Sequence, residues 1–145
     1  MPDPLSLHPR AFRWPVRVGI ADIDVQNHAS NVAVLSWMNQ AAWEHSVALG
    51  YPAQAYQQLG SMWVVRRHEI IYHQQALLDD ELICLTWLGA MSKVTADRHH
   101  KIVRPADGAV IAEGTNTWAF VSIASGRPTR IPPPIVERFD PGQFI

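Results

Sequence analysis

The sequence is short of cysteine, of charge and of long apolar segments. Cys84 is the single cysteine among 145 residues, so no disulfide can form within the chain. Its apolar neighbours Ile83 and Leu85 favour a buried strand thiol over a nucleophile. Charged residues make up 17% of the chain and the net charge is −1. This balance argues against a nucleic-acid partner, because such binding needs clustered cations.

Signals for a membrane or for export are also lacking. No run of about 18 apolar residues is present, so we expect no membrane-spanning helix. The first residues contain no basic segment followed by an apolar one, so we expect no secretory signal. These two absences lead us to expect a protein located in the cytoplasm.

Apolar residues, in contrast, are plentiful. They make up 48% of the chain and include six tryptophans, which is enough for one substantial core. We therefore predict a single domain over residues 1–145, with an ordered core over about residues 12–134. The low charge and the many tryptophans also suit a chain that buries further surface in a homo-oligomer.

Hydrophobic periodicity predicts one strand, two helices and then four strands. Alternation with a period of two over residues 14–20 indicates the first strand. Helical spacing over 32–49 predicts one long helix, and a proline at the start and a glycine at the end frame a short second helix over about 52–59. Residue types that favour strands then recur in four segments, at 62–72, 81–89, 94–104 and 110–122. A proline-rich tail without a predicted element follows.

The order of these elements predicts the α+β class. No helix separates the last four strands, so they cannot form a doubly wound parallel sheet. An antiparallel sheet that covers one central helix fits the order. The other face of such a sheet stays partly apolar, so we expect it to pair with a second copy of the chain.

Polar and titratable side chains crowd the ten residues before the long helix. They are Asp22, Asp24, Gln26, Asn27, His28 and Asn31. A carboxylate in this loop lies near the unpaired amides of a helix N-terminus, which stabilise its charged form and any oxyanion beside it. Two interpretations stay open, since Asp, Ser and Asn before a helix most often only cap it. The pattern alone favours capping over catalysis.

Three segments resemble a known family. The stretch Asp22-Ile-Asp-Val-Gln-Asn-His-Ala-Ser-Asn31 is similar to the signature of hotdog-fold thioesterases of the 4-hydroxybenzoyl-CoA type. Residues 12–18 and 72–80 further resemble the Tol-Pal-associated acyl-CoA thioesterases, and the ending at 125–132 matches a common family ending. The likeness covers about residues 12–134 in the same order, so three motifs in register support it.

The resemblance implies a fold and a catalytic residue. The fold is a central helix wrapped by a five-stranded antiparallel sheet, paired in a dimer whose interface holds two active sites. The aspartate that matches Asp24 acts as a nucleophile on the thioester or as a general base for water, while Asp22 is structural. Backbone amides of the partner subunit, around Ser61-Met62-Trp63, would stabilise the oxyanion. No cofactor and no metal are implied, because CoA enters as part of the substrate.

His28 and Asn31 follow different branches of this family. Tol-Pal-associated members place a catalytic histidine seven residues after the aspartate, where this chain has Asn31. Plant acyl-carrier-protein thioesterases place it four residues after, which matches His28. Many relatives carry a tyrosine three residues after the position of Asn31. This chain has Val34 at that position. The resemblance thus implies His28 and Asn31 as helpers, and a packed histidine beside the helix is the alternative for His28.

We therefore predict a thioester hydrolase that acts on an acyl-CoA, or less readily on an acyl-carrier-protein thioester. A homodimer is expected, arranged as a dimer of dimers in a homotetramer. One alternative is a hotdog enoyl-CoA hydratase or dehydratase that uses His28. The other is a non-catalytic member that only binds acyl-CoA, an idea suggested by the departures from the family pattern at Asn27 and Val34.

Further polar residues receive ordinary interpretations. Glu44 and His45, within the long helix, are interpreted as helix surface or interface. The four cations that could meet CoA phosphates are instead expected at solvated or interface positions; they are Arg66, Arg67, Lys93 and Arg98. The pair His99 and His100 should face opposite sides of a strand.

Overall fold

The structure, a computed structural model, describes residues 10–139. Residues 1–9 and 140–145 therefore lie outside the described residues. The elements in chain order are β1 (Phe12–Arg17), α1 (Asn31–Ala48), α2 (Ala53–Leu59), β2 (Ser61–Tyr72), β3 (Glu81–Met91), β4 (Thr95–Arg104), β5 (Ala109–Ser122) and α3 (Pro133–Phe139). A single 3-10 turn at Ile20–Asp22 follows β1.

The two predicted helices and four later strands are confirmed to within about two residues at each end. The helix α2 shows why its limits were readable from the sequence. Pro52 precedes its first residue, and Gly60 ends it in the left-handed conformation with φ of 73°. Glycine adopts that conformation at little cost, which makes it a reliable helix stop.

The strands form one five-stranded antiparallel sheet in the order β1-β3-β4-β5-β2. The register of β1 against β3 runs from the pair Phe12 and Thr86 to the pair Arg17 and Glu81. The strands β1 and β2 are the two edges of the sheet. The predicted five-stranded antiparallel sheet is therefore confirmed.

The chain divides into two compact units, and the first comprises residues up to Ala42 together with Ile70–Trp87 and His100–Gly114. Its core joins one face of α1 to strand residues. From α1 come Val34, Trp37, Met38 and Ala41, whose spacing of three and four residues is that of a single helix face. Cys84 is fully buried in this core, so its interpretation as a core thiol is confirmed.

The second unit comprises Trp43–Glu69, Leu88–His99 and the described residues from Thr115 onward. Its core contains α3, an element that the sequence had not predicted. Ile135, Val136 and Phe139 of this helix are buried and share a cluster with Tyr56 and Phe120. A helix of seven residues is too short to show a clear period, and its prolines suggested an irregular tail. Proline is nevertheless favourable in a first helical turn.

No helix within residues 10–139 is long and apolar enough to cross a membrane.

The burial of α3 gives a stability test. Ile135 is 1% exposed, and replacing it with alanine should lower the free energy of unfolding by about 2–5 kcal/mol, because a cavity remains. The control Glu137→Ala changes an exposed residue of the same helix and should cost less than about 0.5 kcal/mol. Urea denaturation measures both. Equal values for the two variants would show that α3 does not pack as described.

Candidate active site

The loop before α1 is closed by its own hydrogen bonds. The amide of Gly19 donates to Asp22 Oδ2 at 2.8 Å, and the amide of Ser30 donates to the Asp22 carbonyl at 2.9 Å. Ile23 and Ala29 form an isolated antiparallel bridge across the loop. Asp22 therefore shapes the loop, as the resemblance implied.

Asp24 lies in a tight turn inside this loop. Its Oδ1 accepts a hydrogen bond from the amide of Gln26 at 2.8 Å, and its carbonyl accepts one from the amide of Asn27 at 3.1 Å. Asn27 has φ of 66°, a left-handed conformation that asparagine tolerates better than most residues. Asp24 is half-buried. The bond from Gln26 means that the turn holds one of its two carboxylate oxygens.

Ser30, and not an aspartate, caps α1. Its Oγ accepts a hydrogen bond from the amide of Ala33 at 3.0 Å, which is the usual bond of an N-cap serine. The amide of Val34 donates to the Ser30 carbonyl at 3.1 Å and begins the helix. Capping is therefore wrong as an account of Asp24.

A pocket of about 300 Å³ opens beside the loop, within the first unit. His28, Asn31 and Val34 line it from the loop and α1, while Tyr72 and residues 73–76 line it from the end of β2 and beyond. Asp24 is not among the lining residues. The structure thus brings His28 and Asn31 to one pocket. Asp24 lies in the turn that precedes these two residues in the chain.

Residues 73–76, which we call the wall segment, belong to the segment 72–80 that resembled the family, but the sequence did not indicate that they line a pocket. The amides of His73 and Gln74 both donate to the Ile111 carbonyl, at 2.9 and 3.2 Å. The carbonyl of Ala76 accepts from the amide of Ala29 at 2.8 Å, which joins the wall segment to the loop. The predicted end of β2 could have located the wall segment in the sequence. The sequence could not have shown that the wall segment bonds to Ile111 on β5.

Asp80 belongs to the segment at 72–80 that resembled the family, and its carboxylate holds this segment in place. Its Oδ2 accepts from Arg104 Nη1 at 2.9 Å and from the amide of Leu77 at 2.9 Å. The same Arg104 nitrogen donates to the carbonyl of Gln75 at 3.1 Å. A side-chain hydrogen bond to Asp107 is the main cause that raises the pKa of Arg104. These bonds anchor the wall segment from behind.

A family model described as the acyl-ACP thioesterase N-terminal domain matches residues 9–139. The chain belongs to the acyl-ACP thioesterase family. The prediction of a hotdog-fold thioesterase is thereby confirmed. Comparison with curated protein sequences returned no match.

Solved structures share the fold of this chain. One, from Lactobacillus plantarum and provisionally assigned as an oleoyl thioesterase, has a TM-score of 0.85 at 23% identity and covers 93% of this chain. The chain spans only about half of that protein, at 51% of its length. A 1,4-dihydroxy-2-naphthoyl-CoA thioesterase from Synechocystis has a TM-score of 0.82 at 14% identity, with 89% of this chain and 95% of the other covered. The gentisyl-coenzyme A thioesterase BH1999 has a TM-score of 0.76 at 18% identity, with 88% and 98% covered.

The residues predicted to stabilise the oxyanion, Ser61, Met62 and Trp63, belong to the second unit. They begin the edge strand β2 and are partly buried. Trp63 Nε1 donates to the hydroxyl of Tyr56 at 3.2 Å, and that hydroxyl lies 2.6 Å from Ser46 Oγ. Burial raises the pKa of Tyr56, so its hydroxyl stays protonated and fixes the start of the strand.

His45 and Arg98 correct the interpretation of both residues as solvated or interface groups. They are 9% and 5% exposed, respectively, and Arg98 Nη1 lies 3.0 Å from His45 Nδ1. Burial, followed by the charge of Arg98, lowers the pKa of His45 to about 3. The imidazole is therefore neutral and accepts the bond. Helical position alone could not show that this face of α1 meets an arginine.

A pH dependence of stability follows from His45. Its pKa is about 3 in the folded chain, against the ordinary histidine value of 6.5 in the unfolded chain, so the unfolded chain binds more protons between these values. The stabilisation is complete above pH 6.5 and is lost as the pH falls towards 3, by up to about 1.4 kcal/mol per unit. His45→Gln should flatten this slope in urea titrations at several pH values.

His99→Gln is the matched control for this titration. His99 pairs with Thr115 at 3.2 Å, and its replacement should leave the slope of the wild type in place. The account of His45 fails if His45→Gln and the wild type lose stability equally between pH 6.5 and 3.

Proposed function

We propose that the chain hydrolyses acyl-CoA thioesters, with Asp24 as the carboxylate that attacks the thioester carbonyl or activates water. The observation that carries this proposal is the state of Asp24. Its Oδ1 is held by the amide of Gln26 at 2.8 Å, and within residues 10–139 its Oδ2 has no hydrogen-bond partner. A carboxylate that neither caps a helix nor forms an ion pair is available for chemistry.

The reaction needs an attacking oxygen and hydrogen-bond donors from the site, and then a leaving group from the substrate. The attacking oxygen, from Asp24 or from a water that gives its proton to Asp24, forms a bond to the thioester carbon. The carbonyl oxygen becomes negative in the tetrahedral intermediate and needs hydrogen-bond donors. The intermediate then expels CoA as a thiolate, which is a good leaving group, and the acid is released directly or after water cleaves an anhydride.

His28 and Asn31 are proposed to bind the thioester or the water. Both line the pocket, and the amide of Asp24 donates to the carbonyl of His28 at 3.1 Å. Asp24 and His28 are thus joined in one closed turn, so a change in the position of Asp24 also moves His28. A neutral imidazole can donate and accept near pH 7, which suits such a role.

A second copy of the chain is proposed to complete the site. The strand β2 is 12 residues long and lies at a sheet edge, and it exposes Ile71 and Tyr72 by 54% and 46%. The backbone groups of an edge strand can pair with another chain, and native proteins normally cover or protect such edges. Pairing through β2 would let a partner contribute the backbone amides near Ser61–Trp63 to the oxyanion.

CoA is proposed as the carrier of the acyl group. Two of the similar structures are thioesterases for aromatic CoA esters, and a third, with a TM-score of 0.84, was solved in complex with CoA. The family model is named for acyl-carrier-protein thioesters, so both carriers belong in the assay.

The Asp24→Asn variant tests the catalytic assignment. It should lower thiol release from acyl-CoA by roughly 10²- to 10⁴-fold, the usual contribution of a general acid or base. Asp22→Asn is the matched control: Asp22 only accepts a loop hydrogen bond, so this variant should lose stability but keep most of its activity. Full hydrolysis by Asp24→Asn would remove Asp24 from the mechanism.

Two further readouts separate the alternatives. Loss of enoyl absorbance from crotonyl-CoA without thiol release would favour hydration. Tight binding of acyl-CoA without turnover, across short, long and aromatic acyl groups and both carriers, would favour a non-catalytic binding protein.

Sedimentation equilibrium tests the proposed partner. We expect a particle of at least two chains at assay concentrations, and activity that falls as dilution separates them, because each site would need amides from the partner. A monomer with undiminished activity per chain would contradict the shared site.

A further inference from the structure

His73 and Glu113 form a side-chain pair at the pocket. His73 follows the last residue of β2 and lines the pocket together with His28 and Asn31. Its Nε2 lies 3.1 Å from Glu113 Oε2 on β5. The other Glu113 oxygen lies 3.8 Å from Lys101 Nζ, so a cation balances the carboxylate.

This pairing fixes the chemistry of the imidazole. An ionised carboxylate only accepts hydrogen bonds, so His73 Nε2 must carry the proton and donate to Glu113. In the neutral ring the other nitrogen, Nδ1, then has a lone pair and accepts. Glu113 thereby sets which nitrogen of His73 offers a proton and which offers a lone pair.

We propose that His73, oriented by Glu113, is a substrate-binding residue whose Nδ1 accepts a hydrogen bond from a donor group of the bound thioester. The inference rests on the proposed hydrolysis and adds a specificity-determining residue to it. Two parts of such a substrate carry donors: a hydroxyl on the acyl group, and an amide N–H of the pantetheine arm of CoA. The experiment distinguishes these two sources.

A purely structural role explains the pair less well. The wall segment is already anchored by its backbone, through Ile111, the Arg104 bond to Gln75 and the Ala29 bond to Ala76. The side chains of His73 and Glu113 are 40% and 48% exposed, and such exposed pairs contribute little to stability. Their arrangement therefore matters most for what the pocket can bind.

The test compares three variants on matched substrates. His73→Leu removes the acceptor, whereas His73→Asn keeps an acceptor oxygen close to the position of Nδ1. Glu113→Gln replaces the carboxylate with an amide that can itself donate to Nε2, which would move the ring proton to Nδ1. The substrate pairs are 3-hydroxybutyryl-CoA with butyryl-CoA, and 4-hydroxybenzoyl-CoA with benzoyl-CoA.

We expect His73→Leu and Glu113→Gln to raise KM by about tenfold, the effect of losing one hydrogen bond, with kcat nearly unchanged. His73→Asn should restore most of the loss. A loss confined to the hydroxylated substrates identifies the acyl group as the donor. An equal loss with both, absent for thioesters of 2-mercaptoethanesulfonate, which has no amide, identifies the pantetheine arm.

Two controls match these changes. Glu69→Gln breaks another exposed pair, with Arg67 at 2.9 Å, and His99→Gln alters a histidine that pairs with Thr115; both should keep wild-type KM values. The inference is overturned if His73→Leu keeps wild-type KM on every substrate, or if His73→Leu and His73→Asn lose activity equally.

Failure of the proposed function has a different signature, namely no thiol release by the wild type or full release by Asp24→Asn. Calorimetric binding of the same thioesters to the wild type and the His73 variants then tests the inference without turnover. A tenfold weaker affinity in His73→Leu, restored in His73→Asn, supports it, and equal affinities reject it.

Discussion

The hydrogen bond from the Ala33 amide to Ser30 Oγ, 3.0 Å long, determines which polar groups of the loop are free to act. The first amides of a helix need acceptors, and a serine hydroxyl supplies one here without using a charged group. The amide of Ser30 is itself held by the Asp22 carbonyl at 2.9 Å, so the helix start and the loop are fixed together. The carboxylate of Asp24 is left to close its own turn with Gln26.

The same start of α1 places the pocket. Val34 belongs to the buried face of the helix and also lines the pocket, so the core that fixes α1 also fixes the inner wall of the site. The opposite wall depends on the sheet, because the end of β2 is tied to Ile111 of β5. The pocket is therefore formed where a packed helix begins and a paired strand ends near the same loop, and not by the loop alone.

The strands and the long helix were readable from the sequence because their signals are local. Period-two alternation and helical spacing require only neighbouring residues, and the strong stops at Gly50 and Gly60 set the limits. The helix α3 was missed, since seven residues are too few to show a period. The burial of His45 was missed for another reason: a titratable group on a helix is normally exposed, and its contacts with Arg98 of β4 and Phe139 of α3 come from distant parts of the sequence.

The candidate site divides in the same way. Asp24, His28 and Asn31 lie within eight residues of one another, so a sequence motif could name them. His73 and Glu113 are 40 residues apart, and nothing local connects them; the pairing of β2 with β5 does.

The two histidine pairs also differ in what burial allows. His45 sits beside Arg98 with a pKa of about 3, and burial limits it to accepting a bond within the core. His73 pairs with a carboxylate at an exposed position, where a ring nitrogen can still meet a ligand. The proposed role of His73 therefore depends on two features. Glu113 on β5 pairs with one ring nitrogen, and the exposed position leaves room for a ligand at the other.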